Sequence, residues 1–284
     1  MKIILSRKGF DSSSGGAPSP IFPDGKLLSL PIPDKTSTLA YGDITGNNWA
    51  TVGELVHQLA GLPSTHRAHL DPDLRFQSIR RTKGWRPIFG QTGSAESHLR
   101  NQNVGEGDIF LFFGLFRPVE RPNSKWQYVR GSRPIHALFG WLQIASPIVV
   151  SAWPTTEKWA HYHPHFDRES DPRNVIYDSS ERLALPDFSS GYFAGAGVFE
   201  TISPRLILTG IDSKRPGRWL LPEWFHPETR PSALSYHRDQ ARWERGENGV
   251  ILSSVSRGQE FVLDCHAYPE ALEWVRSLFV CGTS

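Results

Sequence analysis

Several short polar strings in this chain bring together side chains capable of chemistry. His69-Leu70-Asp71-Pro72-Asp73 sets an imidazole beside two carboxylates. Such donors can hold a divalent cation or position a water, with His69 and Asp71 as candidate catalytic groups. Asp before Pro is equally a turn former. A second string, His161-Tyr162-His163-Pro164-His165-Phe166-Asp167, alternates its imidazoles. Alternate residues of a strand share one face, so His163 and His165 are candidate ligands for zinc or iron. Pro164 interrupts such a strand, and hydrogen-bonded structural histidines are the competing expectation.

Anion binding has its own candidates. Lys2 to Leu5 reads as a strand that runs directly into Ser6-Arg7-Lys8-Gly9-Phe10-Asp11-Ser12-Ser13-Ser14-Gly15-Gly16. Glycine lets backbone N–H groups converge, serine adds donors, and two cations supply charge. Ser6, Arg7, Lys8, Asp11 and Ser13 are therefore candidate nucleotide contacts, against the alternative of a mobile loop with solvated charges. The loop is neither a Walker A motif nor a G-x-G-x-x-G turn. Gln91 and His98 flank a short helix expected to begin near Ser94, and a helix N-terminus can receive an anion. Near the C-terminus, His237 and Glu260 join the candidate acid–base groups, and Arg257 and Gln259 join the nucleotide contacts. Arg80, Arg81, Lys83 and Arg86 surround Trp85, a composition that suits a nucleic-acid backbone with one stacked base, or else a solvated charged loop. Neither Cys265 nor Cys281 sits in a metal-binding or disulfide pattern, and no G-x-S-x-G elbow is present. No cofactor is assigned from these residues.

The elements that must position these groups are mostly strands. Hydrophobic residues make up 38% and charged residues 21%, an ordinary folded balance. Twenty-two Pro, 25 Gly and 10 Trp against a single Met argue for short strands and structured loops rather than a helical bundle. A net charge of +2 excludes bulk electrostatic capture of DNA, so nucleic-acid binding would need a local basic groove. The N-terminal apolar run is too short for a signal sequence and no run of about eighteen apolar residues occurs, so a cytoplasmic protein with no membrane partner is expected. Two apolar runs, Ile109 to Phe116 and Ile135 to Ile144, are bounded by Gly and Pro and read as an antiparallel hairpin. Thr51 to Ala60 carries a helical stripe stopped by Gly61 and Pro63. Pro269 to Phe279 reads as a terminal helix.

Two family resemblances follow from quoted strings. The stretch from Gln102 to Val150, with G-D-I-F-L-F-F and H-A-L-F-G-W-L-Q-I-A, resembles the core hairpin of PUA-like barrels (the PUA, ASCH and EVE groups), which bind nucleic acids around a modified or flipped base. More widely, S-R-K-G-F-D-S-S-S-G-G-A-P-S-P-I, D-G-K-L-L-S-L-P-I-P-D, H-L-D-P-D-L, F-G-Q-T-G-S-A-E-S-H-L, L-S-Y-H and S-R-G-Q-E-F-V-L-D resemble the nucleotide-modification-associated domain family, type three, from Ser6 to Asp264. That resemblance implies a role near enzymes that make or process modified DNA bases, without specifying a reaction. The expected fold is α+β, mainly antiparallel, in a single domain spanning 1–284. A PUA-like barrel core at roughly 85–212 would carry flanking helices, long loops and terminal elaborations.

The expected partner is DNA or a nucleotide, with base-modifying enzymes of the same system as further partners. Three functions fit: a reader of a modified base, favoured at this point; an enzyme of the same system, a transferase or hydrolase; and a docking partner of the modifying enzyme. An acid/base pair beside the Arg7–Lys8 loop would favour the enzyme. An aromatic cage with a basic rim from Arg80 to Arg86 would favour the reader.

Overall fold

The computed structural model describes residues 1–46, 50–168, 171–188, 193–228, 230–255, 258 and 260–279. In chain order the strands are β1 (Lys2–Arg7), β2 (Ser19–Ile21), β3 (Ile32–Pro33), β4 (Ala68–His69), β5 (Ile88–Gln91), β6 (Ile109–Glu120) and β7 (Gln127–Tyr128). They continue as β8 (Ile135–Val149), β9 (Val175–Ser179), β10 (Ala196–Val198), β11 (Arg218–Leu221), β12 (Trp243–Gly246), β13 (Gly249–Ser253) and β14 (Glu260–Asp264). The helices are α1 (Val52–Ala60), α2 (Gly93–Asn101) and α3 (Glu270–Phe279), joined by short 3-10 turns. The protein is thus α+β with mostly antiparallel sheets, as its composition and short apolar runs lead one to expect.

The β6–β8 hairpin is the centre of the molecule, pairing antiparallel from Ile109 opposite Gln143 to Phe116 opposite Ile135. Around it the main sheet runs β14-β1-β6-β8-β9-β5, with β2 and β7 added to β6 and β10 to β8. β1 lies parallel to β6, and β14 lies antiparallel to β1 with Ser6 opposite Glu260. Alternation along β6 sends its side chains to two separate cores. Phe110 and Phe112 join Ile4, Phe89, Leu142, Tyr177 and Val262 on one face, so every strand of the path contributes to one interior. Ile109, Leu111 and Phe113 point the other way, against Trp219, Trp243, Leu252 and the α3 residues Ala271 and Val275. The small β11-β13-β12 sheet and α3 cover that outer face.

Because all six strands feed one interior, the sheet curls, and its two ends meet through side chains. Gln91 Nε2, at the end of β5, donates to Glu260 Oε1, at the start of β14, over 2.6 Å. Among the described residues no backbone pairing between β5 and β14 accompanies that contact.

The expected helices form with their expected stops. Thr51 Oγ1 caps α1 by accepting from Glu54 N–H, and Gly61 closes it at φ +69, in the left-handed region open to glycine. The histidine-rich string departs from expectation. Pro164 opens a 3-10 turn, Pro164–Arg168, because a proline suits the first turn of a helix better than a strand interior. Leu206 to Thr209, which also reads as a strand, contributes only isolated bridges, Ala137 to Ile207 and Thr209 to Trp219.

Candidate active site

The curl of the sheet leaves a polar cleft of about 870 Å³ at the ends of β1, β5 and β14. Its lining includes Arg7, Lys8, Asp11, Ser13, His69, Asp71, Gln91 and Glu260, from strings separated by as much as 253 positions. Asp34, Lys35, Thr36, His165, Tyr236 and the first turn of α2 complete it.

One wall is built from β1 and β14. Lys8 Nζ lies 3.1 Å from Glu260 Oε1, the oxygen that Gln91 also donates to, and sits 4.4 Å above the Phe89 ring. Glu260 Oε2 is buried and has no hydrogen-bond partner among the described residues. Arg7 Nη2 donates to the Gly258 carbonyl at 3.3 Å. The serine loop that follows is folded around its own aspartate. Asp11 Oδ1 accepts from Ser13 N–H (2.7 Å), Ser13 Oγ (2.7 Å) and Ser14 N–H (2.8 Å). Ser6 is fully buried beneath the cleft floor, in register with Glu260.

The other wall joins two strings that are nearly a hundred residues apart. Ala68 and Leu70 point into an apolar cluster with Phe10, Tyr41, Leu55 and Val56, which turns the alternate residues His69 and Asp71 toward the cleft. The short β3–β4 pair sets Ile32 opposite His69 and so delivers Asp34, whose Oδ2 lies 2.6 Å from His69 Nδ1. From the far side, Trp153, Trp159 and Phe166 pack together and hold the 3-10 turn that carries His165, with His163 immediately before it. His163 Nε2 lies 3.2 Å from Asp71 Oδ1, and Gly90 N–H donates to the same oxygen at 2.8 Å. His165 Nδ1 pairs with Asn174 Oδ1 at 2.5 Å. The Nε2 atoms of His69 and His165 each stand 3.7 Å from Asp71 Oδ2. One donor atom from each of His69, Asp71 and His165 lies within 4.8 Å of the other two.

This packing polarises the groups in opposite senses. Burial opposes charge on His69, but the Asp34 and Asp71 carboxylates beside it win and raise its pKa to about 9. Burial also opposes charge on Asp71, yet the His163 and His69 imidazoles hold it well below the usual carboxylate range. His165 goes the other way, lowered to about 4 chiefly by burial.

Other candidates lie elsewhere. His237 is fully buried, with Nδ1 on the Ser235 carbonyl (2.9 Å) and Nε2 accepting from Val255 N–H (3.2 Å), so both nitrogens are engaged by backbone. His98 bonds Ser235 Oγ at 3.0 Å and lies tilted against the Tyr236 ring, one step back from the cleft. Arg257 and Gln259 lie outside the described residues. Within the Arg80–Arg86 string, Arg81, Trp85 and Arg86 are tied to internal partners. Arg81 grips Asp73 with two 2.6 Å bonds and lies over the Trp85 ring, whose Nε1 donates to Tyr162 Oη at 2.9 Å. Arg86 clamps Asp178. Arg80 and Lys83 are exposed. Asp34 and Asn174 escaped the sequence analysis, because nothing local in P-D-K-T or R-N-V-I marks a side chain that meets a histidine elsewhere.

No described helix is long and apolar enough to cross a membrane. No curated protein and no solved structure matches the chain. One family model does match, that of nucleotide modification associated domain 3, over residues 2–264. With the match running from the first strand to the end of β14, the chain belongs to the nucleotide modification associated domain 3 family.

Proposed function

We propose that the protein is an enzyme of a nucleotide modification system, acting on a nucleotide or modified base held in the cleft. The observation that carries this reading is the joining of two unlike sets of groups in one cavity. Arg7, Lys8, Lys35 and the N-terminal turn of α2 suit phosphate. The Asp34–His69–Asp71–His165 group provides acids and bases with displaced pKa values, as a reacting site requires, and Glu260 adds a buried carboxylate paired with Lys8. A nucleotide is the substrate class that the family name supports, and the proposal extends it to nucleotides within DNA.

The reader reading keeps one support, the curled sheet, which is the shape a PUA-like core would present to a modified base. Against it, Tyr236 is the only Phe, Tyr or Trp among the described residues lining the cleft. The rim at Arg81 and Arg86 is tied to internal carboxylates. A base cage would need stacking faces.

The test is mass spectrometry of deoxynucleotides and matched duplexes bearing unmodified, methylated or hypermodified pyrimidines, before and after incubation with the protein. A changed substrate mass, abolished in Asp71→Asn and with KM raised at least about 10-fold in Lys8→Ala, is expected. Selective binding without a mass change would make the protein a reader. Neither binding nor change would leave a docking role.

A further inference from the structure

We infer that His69, Asp71 and His165 form a mononuclear binding site for a borderline divalent cation such as Zn(II), Fe(II) or Co(II), open to the cleft. The inference rests on the side-chain geometry and not on the nucleotide reading.

Each histidine has one ring nitrogen fixed by an acceptor behind it and the other directed at Asp71. Asp34 Oδ2 takes His69 Nδ1 and Asn174 Oδ1 takes His165 Nδ1. An acceptor at Nδ1 holds a proton there, so Nε2 is the nitrogen that each ring turns to a cation, which displaces the second proton of His69 on binding. Metal-binding histidines are oriented in this way by carboxylates or carbonyls in the surrounding layer.

The spacing separates a cation site from a hydrogen-bonded cluster. At 3.7 Å, both Nε2–Oδ2 separations exceed hydrogen-bond length. Two donors of one ion bound at about 2.0–2.2 Å stand roughly 3–3.6 Å apart, so an inward movement of a few tenths of an ångström closes these pairs onto an ion. Asp71 Oδ1 is already engaged by His163 and Gly90 N–H, which orients Oδ2 toward the two imidazoles. His163 is thus a positioning residue. Two imidazoles and one carboxylate favour zinc or iron over magnesium or calcium, which prefer oxygen donors throughout. Three protein donors leave coordination positions for water or substrate.

The metal-stripped protein would be titrated with Co(II) alone, following the visible d–d bands and the bound metal per chain, then displaced with Zn(II). One Co(II) per chain is expected, with affinity at least about 10-fold weaker in His165→Ala, and about 10- to 100-fold weaker in Asn174→Ala. Circular dichroism would establish that each variant is folded. Should a variant not fold, imidazole N–H signals shifted by Co(II) in the wild-type NMR spectrum decide the matter. No stoichiometric Co(II) binding by the wild type, wild-type affinity in both folded His69→Ala and His165→Ala, or a wild-type spectrum without imidazole ligation would overturn the site. Nucleotide is absent throughout, so a failed substrate screen leaves this result untouched.

Discussion

Gly90 shows how little freedom single positions have around the site. Its N–H donates to Asp71 Oδ1, and a β-carbon on it would stand 2.4–2.7 Å from three atoms of the His165 ring. The obstacle is a buried imidazole held on its far side by Asn174, not the free end of a flexible chain. Gly90→Ala should therefore displace His165 and destabilise the fold by about 1–3 kcal/mol, as overpacking does. Urea denaturation measures the loss. Gly93→Ala is a poor control, since that glycine has φ +64 and any side chain is strained there. Gly105, which has nothing within 4 Å and no positive φ, is the better one, and its alanine variant should lie within about 0.5 kcal/mol of wild type.

At the scale of elements, the loop between β4 and β5 acts as a clamp rather than a basic rim. Arg81, its side chain 1% exposed, bonds both oxygens of Asp73, and Tyr162 Oη also bonds that carboxylate. The loop thereby fastens the residue next to His163 and holds the 3-10 turn at the cleft. Arg81→Ala leaves Asp73 buried without its counter-charge and should cost about 3–5 kcal/mol. Arg80→Ala and Lys83→Ala, at exposed positions, should stay within about 0.5 kcal/mol in the same denaturation experiment. The loop also marks where sequence reasoning stops. R-R-T-K-G-W-R looks solvated because the partner of Arg81 is an aspartate outside the string. The β6–β8 hairpin, α1 and α3 were legible because their signals are local, in the apolar period and the caps. His69, Asp71, Lys8 and Glu260 were legible as types capable of chemistry. Their meeting was not, since it depends on a two-residue β3–β4 pair and on β1 lying between β6 and β14. The alternation of His163 and His165 suggested a shared target for a different reason from the one that operates. A 3-10 turn seated on Trp153 and Trp159 brings them to Asp71, not a strand face.

Across the whole molecule, buried ionisable groups set opposing demands on pH. His136 accepts from Trp219 Nε1 at 2.9 Å, and burial lowers its pKa to about 4. Burial lowers His237 to about 4 as well. Folded values below the unfolded value of about 6.5 mean stability that is present above pH 6.5 and is lost as pH falls toward 4. Glu96 pulls the other way. It lies on the buried face of α2, accepts from Tyr177 Oη at 2.7 Å, and is raised by burial to about 7. Its neutral form is the one the fold favours, so its contribution is intact below about pH 4.5 and is lost as pH rises through 7. Between those limits the unfolded chain has released the Glu96 proton and the folded chain still holds it. This flattens the acid limb of the stability profile by about one proton, or about 1.4 kcal/mol per pH unit. Glu96→Gln keeps an acceptor for Tyr177 and removes the titration. The variant should match wild type near pH 4, show an acid limb steeper by about 1.4 kcal/mol per pH unit around pH 5.5, and exceed wild-type stability above pH 7. Urea melts across pH 4–8 measure all three. Parallel profiles for the two proteins would mean that Glu96 is ionised in the fold at neutral pH, and that the interior beneath the cleft is wetter than its packing implies.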